Sequence, residues 1–561
     1  MSTLAEAVGK TLAESGIRHA FGVVGGGNIL ATAALTAAGV HYTAARHEGG
    51  ALAMADACFR ATGDVAICTT THGPGVTNTV TALADAAKNR SGVVLLCGDA
   101  PVSGPRRHDI DQSALMAALG VQVVRLTDPA TAREATAAAV RSAREGSRPV
   151  ALFLPGDLID RRLPEEDAGP LPDGGPAGEH LTAQAPRGER FVPADQDLIP
   201  VLKALAGARR PLVLAGLGAW HSGAGKVLRE LGDRFGALFA TSVMAGGLFR
   251  ESSWSLGVCG GFAAPPAAAL MGEADVVVAF GASLDNFTLH GGRILDPAAT
   301  VVQVDISEGA GAPRADLVVR GDASAVAVRL LDAAVAQGPP GSDWRRRCRP
   351  ALAEVRAGWQ GRAHVDLTTA DRIDPRTLTQ ELAGLLPEDR TVVLDGGHFI
   401  GWPAMYWPVP DPAGLVFTGA AFQSIGLGLA GAVGAAVGRP DRLTVAAVGD
   451  GGALMGLPEL DTLVRSKRPA LVVVYDDAAY GFEEHMYVPR GADPATTSFA
   501  DTDFAAVARG LGATAVTVRS PADLAAVRQW REAGCPGTLV LDCKVVADVV
   551  APFLSDLLER A

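Results

Sequence analysis

Short apolar runs rich in Val, Leu and Ala recur along the chain, each followed by Gly, Asp or Pro and then by a segment of helical composition. Residues 92–97, 150–154, 212–215 and 275–280 are of this kind, as are 301–304, 391–394, 444–448, 471–474 and 538–541. Runs that are apolar throughout, without alternation, suit strands covered on both faces. Strand and helix alternating from end to end predict parallel α/β sheets of the doubly wound kind. A chain of 561 residues leads one to expect three or four domains. Two segments read as linkers: 161–197, with its Pro/Gly stretch through Gly178, and 336–373, with Gly338, Pro339, Pro340 and an Arg cluster. Cutting there leaves pieces at 1–165, 190–338 and 370–550, each able to bury its own core. All three read as the same architecture, although no exact repeat is visible.

Charge and cysteine usage remove several function classes. The net charge is −12 and no dense Lys/Arg run occurs, which counts against a nucleic-acid binder. Arg345, Arg346 and Arg347, beside Cys348 and Arg349, read as a solvated stretch between domains. Seven cysteines without a C-x-x-C pair argue against a disulfide framework or structural zinc and suit a reducing cytoplasm. No basic region leads into an apolar core after Met1, so no secretory signal is expected. No apolar run of about 18 residues occurs, so no membrane span is expected either.

The most informative block is Gly449-Asp450-Gly451-Gly452, where a strand ends in a Gly-rich turn and a helix is predicted from near Leu457. Ligands bind α/β folds at the carboxyl ends of parallel strands. Glycines let a backbone approach a phosphate, and a helix start offers free N–H groups. An aspartate there would repel a bare phosphate, but it suits a ligand of a Mg²⁺ that holds the phosphate. The next strand ends in Tyr475-Asp476-Asp477-Ala478-Ala479-Tyr480-Gly481, with Asp477 27 residues after Asp450. Consecutive strands are usually neighbours, so both carboxylates are expected at one sheet edge. Alone, a G-D-G is an ordinary turn.

G-D-G followed at this distance by a pair of Asn-like residues resembles the diphosphate-binding motif of thiamine diphosphate (ThDP) enzymes, of the acetolactate synthase / pyruvate decarboxylase family. The resemblance covers nearly the whole chain. It implies three doubly wound domains in the order pyrimidine-binding, central and diphosphate-binding, with ThDP and Mg²⁺ as cofactors. It implies Asp450, Asp477 and the carbonyl of Ala479 as metal ligands, with Gly449, Gly451, Gly452, Tyr480 and Gly481 around the diphosphate. It departs where the family usually has Asn-Asn, since Asp476-Asp477 stand here. Arg46-His47-Glu48 with Ala51 resembles the family's R-H-E-x-x-A. Glu48 then matches the glutamate that bonds N1′ of the aminopyrimidine and favours the imino tautomer, whose 4′-nitrogen removes the thiazolium C2 proton. Outside the resemblance, Glu48 is a helix-start acid favoured by the dipole.

Residues 21–27 resemble F-G-x-P-G-G, placing Gly25 and Gly26 near the cofactor, with Val24 where Pro is common. Residues 70–78 resemble T-S-G-P-G-x-T-N, which adds Pro74 and Asn78. His72 replaces the usual Ser and reads equally as an acid/base for substrate protons or as a histidine satisfied by a Gly/Pro turn. Gln112 stands where related synthases place an active-site Gln, with His108 nearby. Asp395-Gly396-Gly397-His398 resembles D-x-G-x-H, placing Gly397 and His398 at the diphosphate. Residues 419–426 resemble the loop with the bulky residue that bends the cofactor, giving Ser424 and Ile425; otherwise Ile425 is plain core.

Glu483 lies six residues after Asp477, the offset of an active-site Glu in the 2-keto-acid decarboxylases. It reads as a proton donor or as a solvated helix-start acid. Met486 replaces the Trp of acetohydroxyacid synthases, and the paired His of the decarboxylases is missing. Gly216-Leu217-Gly218 lacks the third glycine of a dinucleotide loop, which argues against an NAD-type dehydrogenase. Residues 281–286 lack the Arg of FAD-binding relatives, so FAD is not favoured in the central domain. The resemblance thus implies an acetolactate synthase-like carboligase that decarboxylates a 2-keto acid, most simply pyruvate, and joins the remainder to a second carbonyl. The alternatives are a non-ligating decarboxylase releasing an aldehyde and, third, a non-catalytic ThDP-fold subunit. The expected partners are those small molecules and a second copy of the chain, as a homodimer or homotetramer with Glu48 facing Asp450 across the interface.

Overall fold

The computed structural model describes residues 2–107, 109–162, 191–307, 309, 311–335 and 342–558. His108 and most of the first expected linker lie outside the described residues. The chain builds three six-stranded sheets, parallel throughout. The first contains β1 (His19–Gly22), β2 (His41–Ala44), β3 (Ala66–Thr70), β4 (Val93–Asp99), β5 (Gln122–Arg125) and β6 (Val150–Pro155). The second contains β7 (Pro211–Ala215), β8 (Leu238–Thr241), β9 (Ser255–Val258), β10 (Val276–Phe280), β11 (Thr300–Asp305) and β12 (Leu317–Arg320). The third contains β13 (Arg390–Leu394), β14 (Leu415–Phe417), β15 (Leu443–Gly449), β16 (Ala470–Asp476), β17 (Thr514–Val518) and β18 (Thr538–Lys544). Interior strands such as β4, β10 and β16 are buried at every residue, as their unbroken apolar runs require, whereas the edge strands β2, β5 and β9 are partly exposed.

The doubly wound α/β class read from the sequence is thus the observed one, with a difference in detail. The first and third sheets share the order 2-1-3-4-6-5, counted from each sheet's own first strand. The central sheet runs 3-2-1-4-5-6 from its far edge inward, counted by the same convention as 6-5-4-1-2-3, the other common doubly wound order. Architecture repeats three times and strand order only twice.

The Arg cluster is not a solvated linker. Trp344–Cys348 and Leu352–Ala357 are short helices packed on the central sheet, with Trp344 and Cys348 buried. Arg345 donates to the Ala237 carbonyl, pairs with Asp233, and lies over the rings of Phe239 and Trp254. Its guanidinium covers aromatic faces, an environment that a count of charges along the sequence does not show. Arg346 and Arg347 keep to solvent and pair with Asp343.

First and third domains join through one helix from each. Glu48–Thr62 packs on Gly428–Gly438, and Met54, Cys58, Ala432, Val433 and Val437 share one core. A Cβ on Gly434 would stand 2.1 Å from the Met54 carbonyl oxygen, so the two backbones touch. Among the described residues no helix is long and apolar enough to cross a membrane.

Candidate active site

The third sheet changes direction between β13 and β15: the connection after β13 leads to β14 on one side, and the chain then returns to β15 on the other. Such a switch point leaves a crevice beyond the strands' carboxyl ends. Asp395 follows β13 there and is fully buried. Its carboxylate accepts the N–H groups of Gly396 and Gly426. Burial nevertheless pushes it up to about 6. A Cβ on Gly452 would sit 2.8 Å from its Oδ2, so glycine is required beside it. Asp395 therefore ties the loop carrying Ser424 and Ile425 to the strand end. The D-x-G-x-H motif contains this acid, but sequence reasoning assigned roles to its Gly397 and His398 and none to Asp395.

β15 ends at Gly449, and the helix Asp450–Met455 begins on the aspartate itself rather than near Leu457. Gly449 is an extended N-cap, and Pro458 opens a second helix, Pro458–Arg465. The expected start near Leu457 is thus that of the second helix. β16 lies beside β15 with Gly449 opposite Tyr475, which brings the carboxylates of Asp450 and Asp477 close enough for each to feel the other's charge. Two like charges in a buried site cannot both ionise freely. Burial, then the charges of Asp477 and Asp476, push Asp450 up to about 8, and burial pushes Asp477 up to about 6. Asp476 turns away: its carboxylate meets Lys544 Nζ at 2.5 Å, and the same ammonium reaches Asp542 at 3.0 Å. Ala478, between Asp477 and Ala479, adopts φ +58°, a left-handed conformation that costs roughly 1–2 kcal/mol for a residue with a Cβ. Strain of this kind persists where the surrounding structure holds a turn in one functional shape.

A cavity of about 1440 Å³ opens over these strand ends. Every diphosphate-side residue expected above lines it, from Gly397 and His398 through Ser424, Ile425 and the Gly449-to-Gly452 turn to Asp477 and Gly481. Ser424 Oγ is buried without a partner, and Ile425 is 43% exposed, so Ile425 is not core. Glu483 also lines the cavity, whereas Glu484 accepts hydrogen bonds from the Thr497 and Ser498 hydroxyls. The cavity extends to the central sheet, where Gly216 is needed for packing, because a Cβ there would meet the Gly281 carbonyl oxygen at 2.1 Å. Among the described residues no three His, Cys, Asp or Glu side chains form a metal cluster. Two neighbouring carboxylates, Asp450 buried and Asp477 half-buried, beside a helix start and an unpartnered hydroxyl fit a divalent cation completed by an anionic ligand.

The pyrimidine-side residues gather elsewhere. Glu48 opens its helix and accepts from Asn78 Nδ2 at 2.9 Å, and Pro74 begins the short helix Pro74–Asn78 beside it. Loop 25–27 lies against Thr71 and His72, with Gly27 N–H donating to Thr71 Oγ1, while Gly26 meets open space. His72 has side-chain neighbours: its Nδ1 is 3.5 Å from Thr71 Oγ1 and its Nε2 is 3.9 Å from Asp109. Arg106 clamps Asp109 and holds its carboxyl below the usual range. Gln112 is buried with its amide engaged: Oε1 accepts from Gly73 N–H, and Nε2 donates to the Gly98 carbonyl and Asp99. In this structure it braces the Gly73 turn. Glu48, His72 and Gln112 do not line the cavity.

Two acids that sequence reasoning missed join the halves. Glu459 is buried and accepts the backbone N–H groups of Arg46 and His47, setting the turn that presents Glu48. Asp85 is buried and accepts from Gly419 and Phe422, bracing the Ile425 loop from the first domain. Each lies more than 300 positions from its partner, so no local pattern marks it.

Comparison with known proteins agrees with this division. The family model "Thiamine pyrophosphate enzyme, N-terminal TPP binding domain" matches residues 2–121, the central-domain model matches 198–330, and the C-terminal TPP binding domain model matches 395–543. The large subunit of acetolactate synthase isozyme 3 of Escherichia coli (strain K12) is 27% identical over 93% of this chain and 90% of its own length. The 2-hydroxyacyl-CoA lyase 2 of Mus musculus is 29% identical over 91% and 84%. A probable sulfoacetaldehyde acetyltransferase of Rhizobium meliloti (strain 1021) is 27% identical over 93% and 90%.

Proposed function

This chain belongs to the thiamine diphosphate-dependent enzymes of acetolactate synthase type, and we propose that it decarboxylates a 2-keto acid, most simply pyruvate, and joins the remaining fragment to a second carbonyl. The observation that carries this reading is the Asp450–Asp477 pair lining the cavity, beside a glycine turn that opens a helix. Asp450, Asp477 and the Ala479 carbonyl would hold Mg²⁺. The N–H groups at the start of the Asp450 helix, the Ser424 hydroxyl and His398 would hold the diphosphate. ThDP, when bound, supplies the electron sink that lets CO₂ leave. Ile425, exposed on the cavity wall, would orient the cofactor. Glu48, steadied by Asn78, would hold the proton at the pyrimidine ring nitrogen.

Glu48 lies outside the cavity it would serve, which supports a dimer. Val24, Ile29 and Leu30 in the first domain, and Phe422, Ile425 and Met455 in the third, are exposed apolar residues at these two half-sites. Apolar surface of this kind marks an interface. A second copy pairing the first domain of one protomer with the third of its partner would cover both sets and complete two sites. All seven cysteines are unpaired, which suits a cytoplasmic setting.

A second reading is supported by Glu483. It lines the cavity while its neighbour Glu484 is tied down, which supports a role for it in returning a proton so that an aldehyde is released instead. Incubation of the protein with ThDP, Mg²⁺ and pyruvate, followed by NMR, decides between them. Acetolactate or acetoin supports ligation, and acetaldehyde alone supports the decarboxylase. Pyruvate left intact by protein that binds ThDP excludes pyruvate as donor.

A further inference from the structure

We infer that the chain's own C-terminal segment fixes the proton on His398, holding the imidazole neutral with its hydrogen on Nδ1. What that hydrogen is offered to rests on the cofactor reading above; the tautomer does not. His398 is buried at the end of β13 and lines the cavity. After β18 the chain crosses the carboxyl edge of the sheet. Val545 N–H donates to the Asp476 carbonyl and Val546 N–H to the Ile373 carbonyl. The backbone N–H of Ala551 then donates to His398 Nε2 at 2.8 Å.

That bond leaves one protonation state. A backbone amide can only donate, so Nε2 must present its lone pair. The imidazolium and the Nε2–H tautomer are both excluded, and the hydrogen resides on Nδ1. The surroundings favour the same state. Burial, then the charge of His485, pushes His398 down to about 3. The His485 ring stands edge-on at 4.8 Å between centroids, and Trp402 stands edge-on at 6.1 Å. His485 in turn faces the Ala547 backbone of the same segment, and burial keeps it below its ordinary value.

The segment is anchored on both sides of this contact. Upstream it is tied to Ile373 and Asp476, and downstream Phe553 packs on Phe262 and Phe287 of the central domain, at 5.3 and 6.3 Å between centroids. Ala551 is fully buried between these anchors, so its amide is held in place. Ala551 is therefore a positioning residue, acting through its main chain. It makes His398 a single neutral donor at the cavity wall, where a free histidine could accept or donate. A donor suits a diphosphate oxygen and an acceptor does not.

The test has two readouts on the full-length protein. With ¹⁵N-histidine labelling and no cofactor, His398, assigned by its loss in His398→Asn, should show a protonated Nδ1 and an unprotonated Nε2. That pattern should hold from about pH 6 to about pH 8, across the ordinary histidine range. An Nε2–H ring, or an imidazolium anywhere in that range, overturns the inference. In the second readout, binding of ThDP with Mg²⁺ is followed by tryptophan fluorescence. Asn puts an amide N–H where Nδ1 stands, and Gln puts its amide nearer Nε2. His398→Gln should bind roughly tenfold more weakly than His398→Asn, the worth of one hydrogen bond. Gln binding as well as Asn, in variants that melt like wild type, also overturns it. Wild-type protein that binds no ThDP would sink the cofactor reading instead, and the nitrogen spectra would then decide the tautomer alone.

Discussion

Asp477→Asn is the substitution whose effect the structure sets most directly. In the metal-free protein Asp450 is pushed up to about 8 and Asp477 to about 6 by burial and by the charges beside them. In the unfolded chain both ionise near the ordinary value of about 3.9. The folded state therefore binds more protons than the unfolded state, and its stability falls as pH rises. For Asp477 the loss begins near pH 4 and is complete above about pH 6. The shift is about two pH units, and each unit corresponds to about 1.4 kcal/mol, so ionising Asp477 costs roughly 3 kcal/mol. Asn removes that charge and relieves Asp450 as well. At about 2–4 °C per kcal/mol for a domain of this size, the variant should melt roughly 6–12 °C above wild type at neutral pH in EDTA. The gap should shrink toward zero near pH 4. Saturating Mg²⁺ and ThDP should close it, because a cation between the carboxylates neutralises both. Differential scanning fluorimetry across the pH range makes the measurement. A gap independent of pH, or a variant that melts below wild type in EDTA, would refute this account of the Asp477 charge.

Three further outcomes are expected. Glu48→Gln should keep the fold and ThDP binding but slow exchange of the bound cofactor's C2 proton by about 10²–10⁴-fold, read by NMR; unchanged exchange would remove Glu48 from the chemistry. Gly434→Ala should lower stability by about 1–3 kcal/mol in urea titrations, because its Cβ meets the Met54 carbonyl oxygen at 2.1 Å, and wild-type stability would mean the two helices separate freely. Lys544→Met leaves Asp476 and Asp542 both buried without their shared cation and should cost about 3–5 kcal/mol in the same assay, recovered in part by adding Asp476→Asn and further by adding Asp542→Asn as well; no recovery would place the loss outside this ion cluster.

The sheets and the strand-end half of the candidate site were legible because both are written locally. Interior strands of a parallel sheet are covered on both faces and so read as apolar runs, and each such run predicted here is a strand. Asp450 and Asp477 are one strand–helix–strand unit apart, so spacing alone placed them together. Contacts made across domains were not legible. Glu459 and Asp85 are ordinary helix acids in sequence, and only folding brings them to the backbone of residues 46–47 and 419–422. Arg345 failed for the converse reason: its charged neighbours suggested solvent, while its own side chain is stacked on Phe239 and Trp254. Gln112 matched a motif position, but its hydrogen bonds to Gly73, Gly98 and Asp99 depend on the tertiary fold.

The first and third domains show why fold alone does not place function. They share one strand order, so each has the same switch point, between β1 and β3 in one and between β13 and β15 in the other. In the first domain the two strands beside that point approach closely. A Cβ on Gly22 would stand 2.3 Å from the Thr69 carbonyl oxygen, and the following loop lies on Thr71 and His72. In the third domain a buried carboxylate, Asp395, holds the loop of Ile425 by its backbone and leaves the crevice open above it. The first domain presents its acid from a different place, the helix that follows β2, where Glu459 of the third domain shapes the turn. The same strand order thus carries an open crevice in the third domain and, in the first, an acid on the helix that follows β2.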